Sequence, residues 1–116
     1  MSLEPSLKAA LDSLVDGRVY PDTTPDNVVF PCIVYQQVGG EDIEFLEGTL
    51  PDQENARVQV IPWAKSRLEA STLARQIRVR LSDQLAATRL GAPVSLHEEM
   101  LKLYGARAIY SIWFAP

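Results

Sequence analysis

The residues best suited to chemistry in this chain are a lone histidine, a lone cysteine and several pairs of carboxylates. His97-Glu98-Glu99-Met100-Leu101 opens like the helix of a zinc protease, in which a second histidine stands four positions after the first. Here that position is Leu101, so the ligand pair is missing. His97 is read instead as a polar residue on a strand near the surface. Cys32 is the only cysteine, which rules out an internal disulfide and a cysteine-based zinc site. It follows Pro31 at the start of an apolar run and is expected to be a buried, inert thiol.

General acid and base catalysis needs two carboxyl groups facing one site. Glu98 and Glu99 are neighbours on an expected strand and so point to opposite faces. Asp22 and Asp26 flank a Thr-Thr-Pro turn, where carboxylates ordinarily bond to the turn backbone. The acidic run from Glu41 to Glu54 lacks the alternating oxygens and central glycine of a calcium loop. Gly39-Gly40 is followed by acids that would repel a phosphate, and no lysine or serine completes a P-loop. The expectation is therefore a non-enzymatic protein with no cofactor and no metal.

The elements that carry these residues belong to an ordinary globular chain. Its 116 residues, 47% apolar and 22% charged, suit one domain over 1–116 with a core that needs no staples. The N-terminus Met-Ser-Leu-Glu-Pro has no leader pattern and no stretch reaches membrane-span length, so synthesis in the cytosol and no membrane partner are expected. A formal charge of −4 opposes sequence-specific or broad nucleic-acid binding. That total hides a segregation. Residues 39–55 carry Glu41, Asp42, Glu44, Glu47, Asp52 and Glu54 with no base, while residues 56–89 carry seven bases against Glu69 and Asp83.

Leu3, Leu7, Ala10, Leu11 and Leu14 form one helical stripe, with Gly17 placed as a left-handed cap. Val19-Tyr20 reads as a brief strand ended by Pro21, and residues 22–27 as a loop. Cys32–Val38 is rich in β-branched and aromatic residues and reads as a strand. Residues 39–55 form a mobile arm with some strand character at 41–47. Ala56–Val60 alternates strictly, and Pro62 is expected at that strand's edge or end. Ser66-Arg-Leu-Glu69 is a capping box that starts a second helix with the stripe Ala70, Leu73, Ala74, Ile77, Leu81 and Leu85, ended by Gly91 and Pro93. Val94–Glu98 and Ala106–Phe114 are the last strands. The fold predicted is α+β, in the order α-β-β-β-α-β-β, with a mostly antiparallel sheet of four to five strands and both helices on one face. Apolar residues on the other face, with Trp63, then need a covering partner or loop.

The succession Gly17-Arg-Val-Tyr-Pro21, Pro31 into Ile33-Val-Tyr-Gln36, Val58-Gln-Val-Ile-Pro-Trp63-Ala, the alanine-rich second helix and Tyr110-Ser-Ile-Trp-Phe114 resembles the tail-completion family of long-tailed phages over nearly the whole chain. It departs from the family in Met100–Gly105, which is more apolar than the plain hairpin usual there. The resemblance implies a structural protein that forms a ring, usually a hexamer, on the head-proximal end of the tail tube. It also implies that the ring stops tube growth and docks to the filled head. The tail-tube protein and a head-completion protein would be its partners. The host bacterial cytoplasm and then the virion tail would be its locations, and a prophage its source. DNA would pass through the ring, where inward-facing acids would keep phosphates from adhering.

Within that frame the acidic arm and the basic helix are expected to meet between subunits, with Glu41, Asp42, Glu44 and Glu47 of one copy against Arg75 and Arg78 of another. The rival readings are another head–tail connector or tail-tube component and, from a different class, a small-ligand-binding module.

Overall fold

The computed structural model describes residues 2–41 and 53–115. Among them α1 (Leu3–Leu11) runs into a 3-10 turn (Asp12–Leu14), followed by β1 (Val19–Pro21), β2 (Cys32–Gln37) and β3 (Glu54–Ala64). Next come α2 (Arg67–Leu85), β4 (Thr88–Arg89), β5 (Val94–Glu98) and β6 (Leu103–Phe114). The sheet order is β1-β2-β3-β6-β4, with β5 also paired to β6. Only β1 and β2 are parallel. The α+β class and the mostly antiparallel sheet follow the sequence reading, but the strands number six.

The helices close one face because their stripes and the strand alternation agree. Leu3, Leu7, Ala10 and Leu11 of α1 and Leu73, Ile77, Leu81 and Leu85 of α2 share a core with Ile33 and Tyr35, with Ala56, Val58 and Val60, and with Ala108, Tyr110 and Ile112. Those sheet residues have the same parity along each strand, as alternation requires. The opposite parity, Gln59, Ile61 and Trp63 on β3 with Ile109, Ser111 and Trp113 on β6, faces away from the helices.

Three local expectations change and one, the Ser66 cap, holds. The first helix ends as α-helix at Leu11 and reaches Leu14 only through the 3-10 turn, with Asp16 and Gly17 at φ of 50° and 81° reversing the chain. Pro62 lies inside an interior strand rather than at an edge. The register between β3 and β6 is interrupted at Ile61 and Pro62, so the missing N–H falls where that ladder already has a gap. The Ser66 Oγ accepts from the Glu69 N–H at 3.1 Å, which is the forward half of a capping box. The second helix stops at Leu85, well before Gly91, because Ala86 takes a left-handed cap at φ 50° and the Ala87 N–H returns to Leu81 O at 3.1 Å. This early stop frees Thr88-Arg89 to form β4, the strand that periodicity did not signal.

The departure at Met100–Gly105 leaves a regular hairpin. Glu98 pairs with Leu103, and the turn between them is held by the Leu101 N–H on Glu98 Oε2 at 2.6 Å. Gly105 lies beneath the cross-strand Trp63 ring, where a Cβ would stand 3.1 Å from two ring carbons and the ring would have to shift by a few tenths of an ångström.

Candidate functional site

The residues with chemical potential are held in structural roles. His97 is exposed on β5, its Nδ1 3.1 Å from Leu103 O and its ring 4.7 Å from that of Tyr104. Cys32 is fully buried at the start of β2, where burial pushes its thiol up to about 11 against a small opposing effect of Arg18. Glu98 ends β5 and binds the turn, whereas Glu99 lies in the turn itself. Asp22 sits at φ 64° with its N–H on Tyr35 O at 2.8 Å, and Asp26 is exposed in the following loop. Among the described residues no three histidines, cysteines or carboxylates are placed to hold a metal ion.

One small cleft opens between the start of α1 and β2. Leu3, Glu4, Pro21, Asp22, Tyr35 and Gln37 are among its lining, and its volume is about 200 Å³. The Tyr35 hydroxyl donates to Glu4 Oε1 at 3.1 Å. Burial first, then this bond and the charges of Glu4 and Asp22, push the phenol up to about 12. The volume is below the roughly 300 Å³ at which small-molecule pockets begin.

The acidic segment leaves and rejoins the sheet through a tight root. The Val38 N–H donates to Arg57 O at 2.7 Å, and the Arg57 N–H to Gly39 O at 2.8 Å. The buried Asn55 accepts from the Glu41 N–H at 2.9 Å through Oδ1, while its Nδ2 donates to Ser111 Oγ at 2.9 Å and to Ile112 O at 3.5 Å. A side chain on Gly40 would collide with the Asn55 carbonyl. Glu41 forms an ion pair with Arg57 at 3.9 Å. That surface pair contributes roughly 0–1 kcal/mol. Asp42, Glu44 and Glu47 lie outside the described residues.

Arg75 and Arg78 are exposed on the flank of α2 that faces away from α1. The opposite flank is tied to α1 through Arg80, which donates to Ala10 O at 3.2 Å and Ser13 Oγ at 2.6 Å. On the free flank the Arg67 guanidinium stands 5.6 Å from the Tyr104 ring. Arg89, on β4, is in register with the buried Tyr110. Burial raises the Tyr110 hydroxyl, and Arg89 and Arg78 both oppose that rise. Arg78 and Arg89 therefore share one electrostatic neighbourhood. Among the described residues neither they nor Arg75 has a carboxylate partner. Within one chain Glu41 meets Arg57, and not Arg75 or Arg78.

Sequence reasoning missed Asn55, Gly40 and Arg89. Asn55 continues the polar positions of the strand with Arg57 and Gln59, so nothing in the local pattern marks it. Arg89 gave no signal, because its strand was unrecognised.

Comparison with known proteins gives the class: a structural protein of phage tail assembly. The family model described as "Tail completion protein gp17" matches residues 6–113, and the chain belongs to that family. No curated protein matches. Among solved structures, one chain of the virion of a native gene transfer agent particle is similar, with a TM-score of 0.48 at 11% identity, over 95% of this chain and 84% of that one.

Proposed function

We propose that the protein caps the head-proximal end of a tail tube as a hexameric ring and joins tail to head. The family match over residues 6–113 carries this reading. The segregated charge of the sequence supports it, since opposite charges set apart along one chain can pair between chains. The chain as a single unit, with a mobile arm at about 39–55, is part of the same proposal.

The test is direct. Tail tubes assembled without a terminator are incubated with the protein and imaged by electron microscopy. A cap at one tube end is expected, and growth of capped tubes stops. Binding to the head portal with bare tube ends would instead establish a head-side connector.

The subunit contact is proposed to pair Glu41, Asp42, Glu44 and Glu47 of one copy with Arg75 and Arg78 of the next. Reversing Arg75 and Arg78 weakens self-association on the tube, and reversing Glu44 and Glu47 in addition restores it. Absence of that restoration rules the pairing out.

A further inference from the structure

Two surfaces have no partner among the described residues, and they match each other. The first is the outer side of α2, where Leu68, Thr72, Arg75 and Val79 follow an i, i+4, i+7, i+11 stripe opposite the core. Leu68 is 74% exposed and Val79 58%. Beside Leu68 and Thr72 lies a shallow depression of about 420 Å³, reached also by Leu14 and Pro31. The second surface is the sheet face that no helix among the described residues covers. Its β2 side is closed, with Cys32 and Val34 buried, but its β3–β6 side is open: Ile61 and Ile109 are half-buried and Trp113 is 39% exposed.

The spacings agree. Along the helix Val79 stands about 14 Å from the midpoint of Leu68 and Thr72, at 1.5 Å per residue. Along β6 Ile109 stands about 13 Å from Trp113, at 3.3 Å per residue. Seating Trp113 in the depression beside Leu68 and Thr72 therefore brings Ile109 onto Val79. One turn beyond Val79 is the exposed Asp83, about 6 Å further. Two residues before Ile109 on the same face is Arg107, about 7 Å further. Arg107 has no carboxylate partner among the described residues. In this register Arg75 falls near the next copy's Glu41, whose own neighbour Arg57 is in register with Ser111. Opposite charges thus meet where Asp83 faces Arg107, while Arg75 faces the Glu41–Arg57 ion pair.

We propose that the occupant of the open sheet face is α2 of a second copy of this chain, with the helix running antiparallel to β6. The contact uses different surfaces on the two copies, so it repeats head to tail and closes into a ring when the rotation permits. It rests on the ring reading and names the surfaces that build the ring. Each subunit boundary becomes a helix–sheet–helix sandwich, which covers apolar area that the isolated subunit leaves in water.

The test uses the full chain carrying Val79→Cys or Ile109→Cys, with the buried Cys32 left in place. Each variant is oxidised alone and in equimolar mixture, both concentrated in solution and on tail tubes lacking a terminator. The expected result is disulfide-linked dimers from the mixture and little from either variant alone, and a ladder of higher species from the chain carrying both. Asp83→Arg lowers the linked yield, and Arg107→Asp restores it. Rings at tube ends without mixed linkage would overturn this contact and leave the capping reading standing. Mixed linkage without tube binding would support the contact and overturn the capping reading. Linkage of one variant to itself, or no association in either setting, would overturn the contact.

Discussion

Asn55 shows how a residue without chemistry can matter more to this molecule than those that have some. It is the buried polar side chain that joins three segments: the end of the acidic segment's root at Glu41, its own strand β3, and the end of β6 at Ser111 and Ile112. Asn55→Ala leaves those groups without their partner, and a loss of about 1–3 kcal/mol is expected in urea unfolding. The cost measured for Ser111→Ala should overlap with it rather than add, because the two share a bond. The titrating residues make a separate prediction. Cys32 is raised to about 11 and Tyr35 to about 12 in the folded state. The unfolded chain therefore releases these protons first, near pH 9 and 10. Their contribution to stability is intact below pH 9 and declines as pH rises toward the folded values. Denaturation midpoints measured from pH 8 upward should fall accordingly; a flat profile through pH 11 would contradict both shifts. The lack of a zinc-protease histidine pair and the burial of Cys32 were legible in the sequence, the first from Leu101 and the second from the apolar run that Cys32 opens. Asn55 was not, since its partners are 14 and 56 positions away.

At the scale of elements, legibility followed the strength of local signals. Ser66 announced α2, and its hydroxyl does hold the Glu69 N–H. Ser66→Ala is expected to lower stability by about 1 kcal/mol, with Ser66→Asp close to wild type in the same thermal scan. The end of α2 was misplaced because Ala86 adopts a backbone conformation that its side chain does not advertise, whereas Gly91 does. Pro62 misled for the opposite reason. A proline normally argues against an interior strand, yet the interrupted register at Ile61 and Pro62 makes room for it. The parallel pairing of β1 with β2 has no signature in three residues, and β4 is shorter still.

For the whole molecule, the main uncertainty of sequence reading was which surface carries assembly. The acids of residues 39–55 and the bases of the second helix were visible in the sequence as a charge imbalance, but that Glu41 meets Arg57 rather than Arg75 or Arg78 needed the fold. If opposite charges set the register between copies, self-association should weaken as ionic strength rises from about 0.05 M to about 0.5 M, where the screening length shrinks from roughly 14 Å to roughly 4 Å. Sedimentation at fixed protein concentration reads this directly. Association that strengthens over that range would assign the contact to its apolar stripe alone.

The side of β6 away from β3 has a further meaning. Its twelve residues are flanked there by two separate short strands, β4 of two residues and β5 of five, with Gly91 and Pro93 between them. At the opposite margin β1 has three residues and ends in Pro21. Neither margin offers a long, continuous row of free backbone groups on which another chain could crystallise strand by strand. On the proposed capping reading, a free subunit must stay dispersed while keeping an apolar face available. Broken margins allow that, because they confine association to side-chain contacts that can be reversed and counted.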